Sequence, residues 1–265
     1  MKKILTLTSI IFIFILIFTS LQGIFQVSTY PIVKKIEKRR ILNEFKGYKT
    51  LNVDHFYIKY HEGDKKIANI TGEVLEKHYD EVCSKLNYFP KNKIPVIIYY
   101  NEEQFKNILN IKGEKAPLGA YYCGIVNILS PNKSGLYDKQ IENIYEEMGP
   151  HLHEFVHYIV DGKTKGNYPM WLTEGIALYM EETILGLSWD LGSEEASKIG
   201  VLYLNDNFNK IKVEVAYRKS YEIVKGLINN YGFEGMNQML DNLGQGRSIK
   251  KSVKTAFKVN LEDID

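Results

Sequence analysis

The 265-residue chain is poor in the residues that staple or break structure, with two cysteines and seven prolines. Cys83 and Cys123 show no C-x-x-C spacing, which excludes a disulfide-built scaffold and a cysteine metal cluster. They read as buried free thiols, with a bridge left open if the domain is exported. An excess of either charge is also missing: 34 basic residues face 32 acidic ones, for a formal net charge of +2. That balance argues against nucleic acid as a partner. There is no internal repeat, low-complexity tract or linker.

Charge is absent altogether from Ile4 to Val33, and Ile10 to Phe18 is an unbroken apolar run behind Lys2 and Lys3. Such a segment targets a membrane. Residues 1–33 are therefore expected to be a signal or anchor, with a single N-terminal span in the cell membrane and an external domain; secretion after cleavage is the alternative. Lys34, Lys35, Lys38, Arg39 and Arg40 follow the span, and residues 34–48 read as a basic juxtamembrane stem that could lie on anionic headgroups. By the positive-inside rule this run would hold the domain in the cytoplasm, but a large domain behind an export-like start is translocated regardless of local charge.

The chemistry-bearing motif is His153-Glu154-Phe155-Val156-His157. Side chains four apart on a helix stand one turn above each other, so both histidines can aim at one metal ion. Glu154 is rotated by about 100° from His153 and cannot share that ligand geometry; it flanks the ion where a general base acts. Leu152, Phe155, Val156 and Ile159 form the buried stripe of the same helix. His151 points to another side and reads as exposed, or as a supporting residue of the metal site.

Seventeen residues beyond His157, Glu174 is the one charged residue from Trp171 to Met180. An ionised carboxylate in an apolar stretch needs a partner, and a dication supplies one. With His153 and His157, Glu174 completes three protein ligands and leaves a fourth position for water, the arrangement of a catalytic zinc ion. Simple placement of Glu174 in the first turn of a helix after Pro169 is the competing reading.

These residues resemble the gluzincin zinc metallopeptidases, and among them the peptidase MA-like domains. The resemblance rests on H-E-F-V-H at 153–157 and on Pro169-x-Trp171-Leu172-x-Glu174-Gly175-x-Ala177-x-Tyr179. It extends more loosely to Asp54–Ile58, Ile94–Tyr99, Ala216–Tyr221 and Asn230-Tyr231-Gly232. It implies zinc on His153, His157 and Glu174, Glu154 as base, and a tyrosine stabilising the oxyanion, for which Tyr217 and Tyr221 are the candidates. It also implies a strand along the cleft, within Tyr121–Leu129, that pairs with a peptide or protein substrate; an interior strand is the other reading. One departure is plain: the carboxylate that orients a ligating histidine one turn after the third ligand is replaced by Leu178, which leaves the histidines' supporting partners unassigned.

The periodicity predicts a strand at 53–60, a helix at 65–87, a strand at 94–100, a helix at 102–109, a strand or hairpin at 119–129, a helix at 138–148 and the metal helix from Pro150. A second metal helix spans 170–182, and helices dominate from 193, with 219–231 and 234–243 amphipathic. The expected class is α+β: a small, mostly antiparallel sheet on an active-site helix pair, followed by a helical lobe. The domain limits are 49–265, with a sheet lobe at about 49–165 and a helical lobe at about 166–265. The function that follows is metal-dependent peptide hydrolysis; a catalytically silent zinc-containing module that binds peptides or cell-envelope components is the alternative. Cleavage within the bilayer is disfavoured by Glu146, Glu147, Asp161 and Lys163 around the metal helix.

Overall fold

The computed structural model of the chain describes the backbone of residues 2–131, 139–187 and 194–264, with side chains from Gly23 onward except at 140 and 141. The chain begins with helix α1 (Lys2–Glu44), followed by β1 (Lys49–Asn52), β2 (Phe56–Tyr60), α2 (Lys65–Lys85), β3 (Ile94–Tyr99) and α3 (Glu102–Leu109). Then come β4 (Gly119–Tyr122), β5 (Ile125–Leu129), α4 (Lys139–Met148), α5 (His151–Thr164), α6 (Met170–Leu185), α7 (Val201–Asn207), α8 (Val213–Gly244) and α9 (Ile249–Phe257).

The strands form one sheet in the order β1-β2-β3-β5-β4. It is mixed rather than mostly antiparallel: β1·β2 and β4·β5 are antiparallel, whereas β2·β3 and β3·β5 are parallel. The physical reason lies in the helices between strands. A helix inserted after a strand can return the chain to the end it left, so that the next strand runs in the same direction, and α2 does this between β2 and β3; after α3 the chain instead enters β4 against the direction of β3, and the β4–β5 hairpin turns it back so that β5 lies parallel to β3. The span 119–129, expected as a strand or a hairpin, is a hairpin of β4 and β5. Cys123 (φ 48°) and Gly124 (φ 78°) form the two-residue turn with positive φ at both positions that a tight hairpin favours. β4 is the edge, and β5 lies inside between β3 and β4.

Both faces of the sheet are covered, which is why every residue of β3 is buried. On one face, Phe56, Ile58, Val96 and Ile128 pack against α2, α5 and the helices behind them through Leu75, Phe155, Trp171 and Val224. The other face is covered by the C-terminal part of α1 and by α3: Ile41 and Phe45 pack with Ile97, Tyr99, Phe105 and Leu129. Residues 34–48 thus contribute side chains to the core.

Within α1, Gly23 already lies against the domain: a Cβ there would lie 2.0 Å from the carbonyl oxygen of Gly246. Gln26 Nε2 donates to the carbonyl of Gly166 (3.2 Å). Among the described residues no helix is long and apolar enough to cross a membrane. The apolar run on which the anchor expectation rests, Ile10 to Phe18, lies before Gly23 and so outside the residues whose side chains are described.

Candidate metal centre

The site is built on two neighbouring helices, α5 and α6, because each carries a wholly apolar stripe. Leu152, Phe155, Val156 and Ile159 on α5, and Trp171, Leu172, Ile176 and Ala177 on α6, are at most 2% exposed. Burying these stripes turns His153 and His157 of α5 toward Glu174 of α6.

His153 Nε2 lies 3.2 Å and His157 Nε2 3.6 Å from the same oxygen, Glu174 Oε2. No two of the three donor atoms are more than 4.8 Å apart, and the group can hold a metal ion. A tetrahedral ion with bonds of about 2.1 Å keeps its ligands about 3.4 Å from one another, so the two distances to Glu174 fit such an ion with small side-chain adjustments. The electrostatics favour positive charge at this point. Burial disfavours a charged His153 ring, but Glu181 and Glu174 outweigh it and hold its pKa well above the ordinary value. Glu174 is held far below the usual carboxylate range: burial opposes this, and the His157 and His153 rings overcome it.

Each histidine is fixed through its other nitrogen. His153 Nδ1 is 3.2 Å from Glu181 Oε2, and His157 Nδ1 is 2.6 Å from Thr173 Oγ1. With Nδ1–H donating to these acceptors, the Nε2 lone pairs of both rings point to the shared position. These are the supporting partners that the sequence reading left unassigned. Glu181 lies two turns after Glu174, not one, and seven helical residues return almost to the same face; the signal was a second buried acid at i+7. Replacing Glu181 by Gln is expected to weaken metal binding by roughly 10- to 100-fold, measured by competition with a chromogenic chelator; unchanged affinity would remove the orienting role.

Glu154 is 6% exposed, beside the histidines, and its carboxylate accepts from the backbone N–H of Tyr121. Burial raises its pKa, partly offset by His153 and His157. Strand β4 comes this close because residue 119 is glycine: a Cβ there would lie 2.9 Å from Glu154 Cγ and 2.7 Å from Pro150 Cβ. Gly175 plays the same part between α6 and α8, since a Cβ would lie 2.3 Å from the carbonyl oxygen of Ser220. That close approach brings Tyr217 of α8 to the centre, where its phenol donates to Glu174 and burial together with that carboxylate keeps it protonated. Tyr221 is not brought there: its hydroxyl accepts from Lys225 Nζ (2.6 Å) and faces Glu182.

A cavity of about 330 Å³ opens over the group, lined among others by Gly119, Tyr121, Glu154, His157, Tyr168 and Tyr217. One wall is therefore the edge strand β4, and β5 has no part in it.

His151 is not exposed, as its helical position suggested, but 1% exposed: the side it faces is covered by α4, and its ring packs edge-on to Tyr145 at 4.4 Å. Among the described residues its Nε2 has no hydrogen-bond partner. Burial pushes its pKa down to about 3, against a hydrogen bond with the Gly149 backbone, and the His78 charge adds to the depression. In the unfolded chain the ring takes up a proton near 6.5, which the folded protein refuses. Acidification from pH 6.5 toward 3 therefore favours unfolding by about 1.4 kcal/mol per pH unit from this group alone, with no contribution above that window. Urea midpoints measured from pH 7.5 to 4.5 are expected to fall less steeply in His151→Gln than in the parent protein; identical slopes would refute this.

The sequence profile of the Peptidase MA superfamily matches residues 131–265, which include His153, Glu154, His157, Glu174, Glu181 and Tyr217. The chain is also similar to an uncharacterized protein of Bacillus subtilis (strain 168), YhcO, with 19% identity over 245 residues that cover 87% of this chain and 72% of the relative.

Proposed function

Since the chain belongs to the peptidase MA superfamily, we propose that it is a zinc-dependent peptidase of the gluzincin kind, with His153, His157 and Glu174 as ligands and Glu154 as general base. The observation that carries this reading is the convergence of both Nε2 atoms on one Glu174 oxygen, beside a buried second carboxylate. Two nitrogens and one carboxylate oxygen suit zinc and leave it an open position. Zinc bound there supplies Lewis acidity, polarising the scissile carbonyl and lowering the pKa of water.

The protein's own groups do the rest. Glu154, with its pKa raised by burial, takes a proton from the attacking water and delivers it to the leaving nitrogen. Tyr217 stays protonated and presents an O–H donor to the oxygen that gains charge. The exposed edge of β4 offers main-chain groups to an extended peptide. Glu181 and Thr173 keep the imidazoles in the tautomer that ligation requires. The uncharged N-terminal segment anchors the domain at the outer face of the cell membrane in this reading; digestion of the domain by protease added to intact cells checks the orientation.

The test is digestion of a mixed peptide library by the full chain purified in detergent, with metal content measured on the same sample. One equivalent of zinc is expected, with cleavage that a chelator abolishes and added zinc restores. Silence with zinc bound would replace the peptidase with a binding module, and failure to retain zinc would remove the metal centre.

A further inference from the structure

A second cavity, of about 590 Å³, is lined by residues of α1, the C-terminal end of α5 and the segment before β3, with the buried Asp161 in its wall. Its walls carry six cationic side chains: Lys34, Lys35, Lys38, Arg39, Lys93 and Lys165. Asp161 is the one carboxylate among the lining residues, and it is already engaged by Lys34, by Tyr30 O–H (2.5 Å) and by Tyr121 O–H (2.6 Å). Among the described residues Lys35, Lys38, Arg39 and Lys165 have no acidic partner.

This concentration of positive charge works against the fold. Lys34 and Lys38, and Lys35 and Arg39, are like-charged pairs four residues apart on α1, which destabilise a helix by a few tenths of a kcal/mol each. Burial, with the nearby Lys34 ammonium adding to it, pushes the pKa of Lys38 down to about 8. A chain that needed only solubility would keep such charges apart on open surface. Here they line a concavity of the size that holds a small molecule, and Tyr57 and Tyr88 add flat aromatic wall.

We propose that this cavity binds a phosphate-bearing anion with at least two phosphate groups, its oxygens engaged by Lys35, Lys38 and Arg39 of α1 and by Lys165 at the end of α5. Several convergent ammonium groups and one guanidinium fork match the charge of a diphosphate, whereas a lone carboxylate would leave most of them uncompensated. The same group could come from a soluble molecule or from a lipid headgroup, and helix geometry favours the soluble source. α1 already lies against the domain at Gly23, and Lys35 to Arg39 lie about 18–24 Å further along the axis at 1.5 Å per residue. A headgroup layer is only roughly 5–8 Å thick, so a membrane ending before Gly23 would not reach them. The proposal is independent of the peptidase reading.

The experiment is calorimetric titration of the full chain, in nanodiscs of phosphatidylcholine, with inorganic pyrophosphate at fixed ionic strength. Saturable one-to-one binding is expected, weakened at least about tenfold, the equivalent of 1.4 kcal/mol, in Lys35→Ala/Arg39→Ala. Lys165→Gly, which suits the positive φ at that position (55°), tests the opposite wall without touching α1 and is expected to weaken binding as well. Lys250→Ala/Lys251→Ala on α9 should leave affinity unchanged, and so should His157→Ala, which separates this site from any chelation at the metal centre. If cardiolipin in the nanodisc, whose headgroup carries two phosphates, competes with pyrophosphate, the bound group is a headgroup; if it does not, the ligand is soluble. No saturable binding, or an equal loss in the α9 control, overturns the proposal.

Discussion

Replacing Glu154 by Gln is expected to lower kcat for peptide hydrolysis by on the order of 10³-fold, within the range that a positioned acid–base group contributes, while zinc stays bound. Gln has the volume of Glu, so it fits the tight space under Gly119, where a Cβ would lie 2.9 Å from Glu154 Cγ. Its side-chain oxygen can still accept from the Tyr121 N–H that faces Glu154. What it cannot do is take up and return a proton. Because residue 154 is not among the three converging donors, metal content should match the parent protein's, and KM should move little. Stopped-time digests with parallel zinc analysis check both halves. Parent-level activity would eliminate the proton-transfer role, and loss of zinc would mean that Glu154 holds the ion.

Loss of Asp161 is expected to be the most damaging single change to stability. Its carboxylate is 0% exposed and lies one helical turn beyond His157 on α5. It gathers Lys34 and Tyr30 from α1, Tyr121 from β4 at 2.6 Å and, more distantly, Tyr168 at 3.4 Å. Burial and the nearness of Asp161 keep Tyr30 and Tyr121 protonated, so both remain donors. Asp161→Ala leaves an ammonium without its counter-ion and two or three phenols without their acceptor. Breaking a buried pair costs about 3–5 kcal/mol. The lower part of that range applies, since the Lys34 side chain is 19% exposed and can turn to water. Urea unfolding monitored by circular dichroism gives the number; a loss below about 1 kcal/mol, the value of one ordinary hydrogen bond, would show that the cluster carries no net stability.

The grouping of His153, His157 and Glu174 was legible because its parts are local. Two histidines at i and i+4 and one carboxylate in an apolar helix are set by helical period alone, and α5 and α6 bury the stripes that this period predicts. The partners at Nδ1 were missed for two different reasons. Glu181 is on the right face but one turn further than the expected position, held by Leu178; Thr173 depends on the mutual rotation of two helices, which no single-helix pattern contains. His151 was misread since helical angle says which way a side chain points but not that α4 covers that side. Tyr217 and Tyr221, a turn apart on α8, were indistinguishable in sequence; the close approach at Gly175 selects Tyr217. In the sheet, the strands at 56–60 and 94–99 follow their apolar pattern, whereas Lys49–Asn52 is polar and pairs as β1 only because the edge of β2 is open to it. Strand direction was lost because it depends on what the connecting helices do in space.

The packing of α1 also limits how this protein can be matured. A protease that removed the chain through Lys34 would take Tyr30 and Lys34 from Asp161 on α5, and one that removed it through Phe45 would also strip Ile41 and Phe45 from the sheet's second face. Any scissile bond that spares these contacts therefore falls upstream of Tyr30, and the released form would keep the packed part of its first helix as a permanent splint.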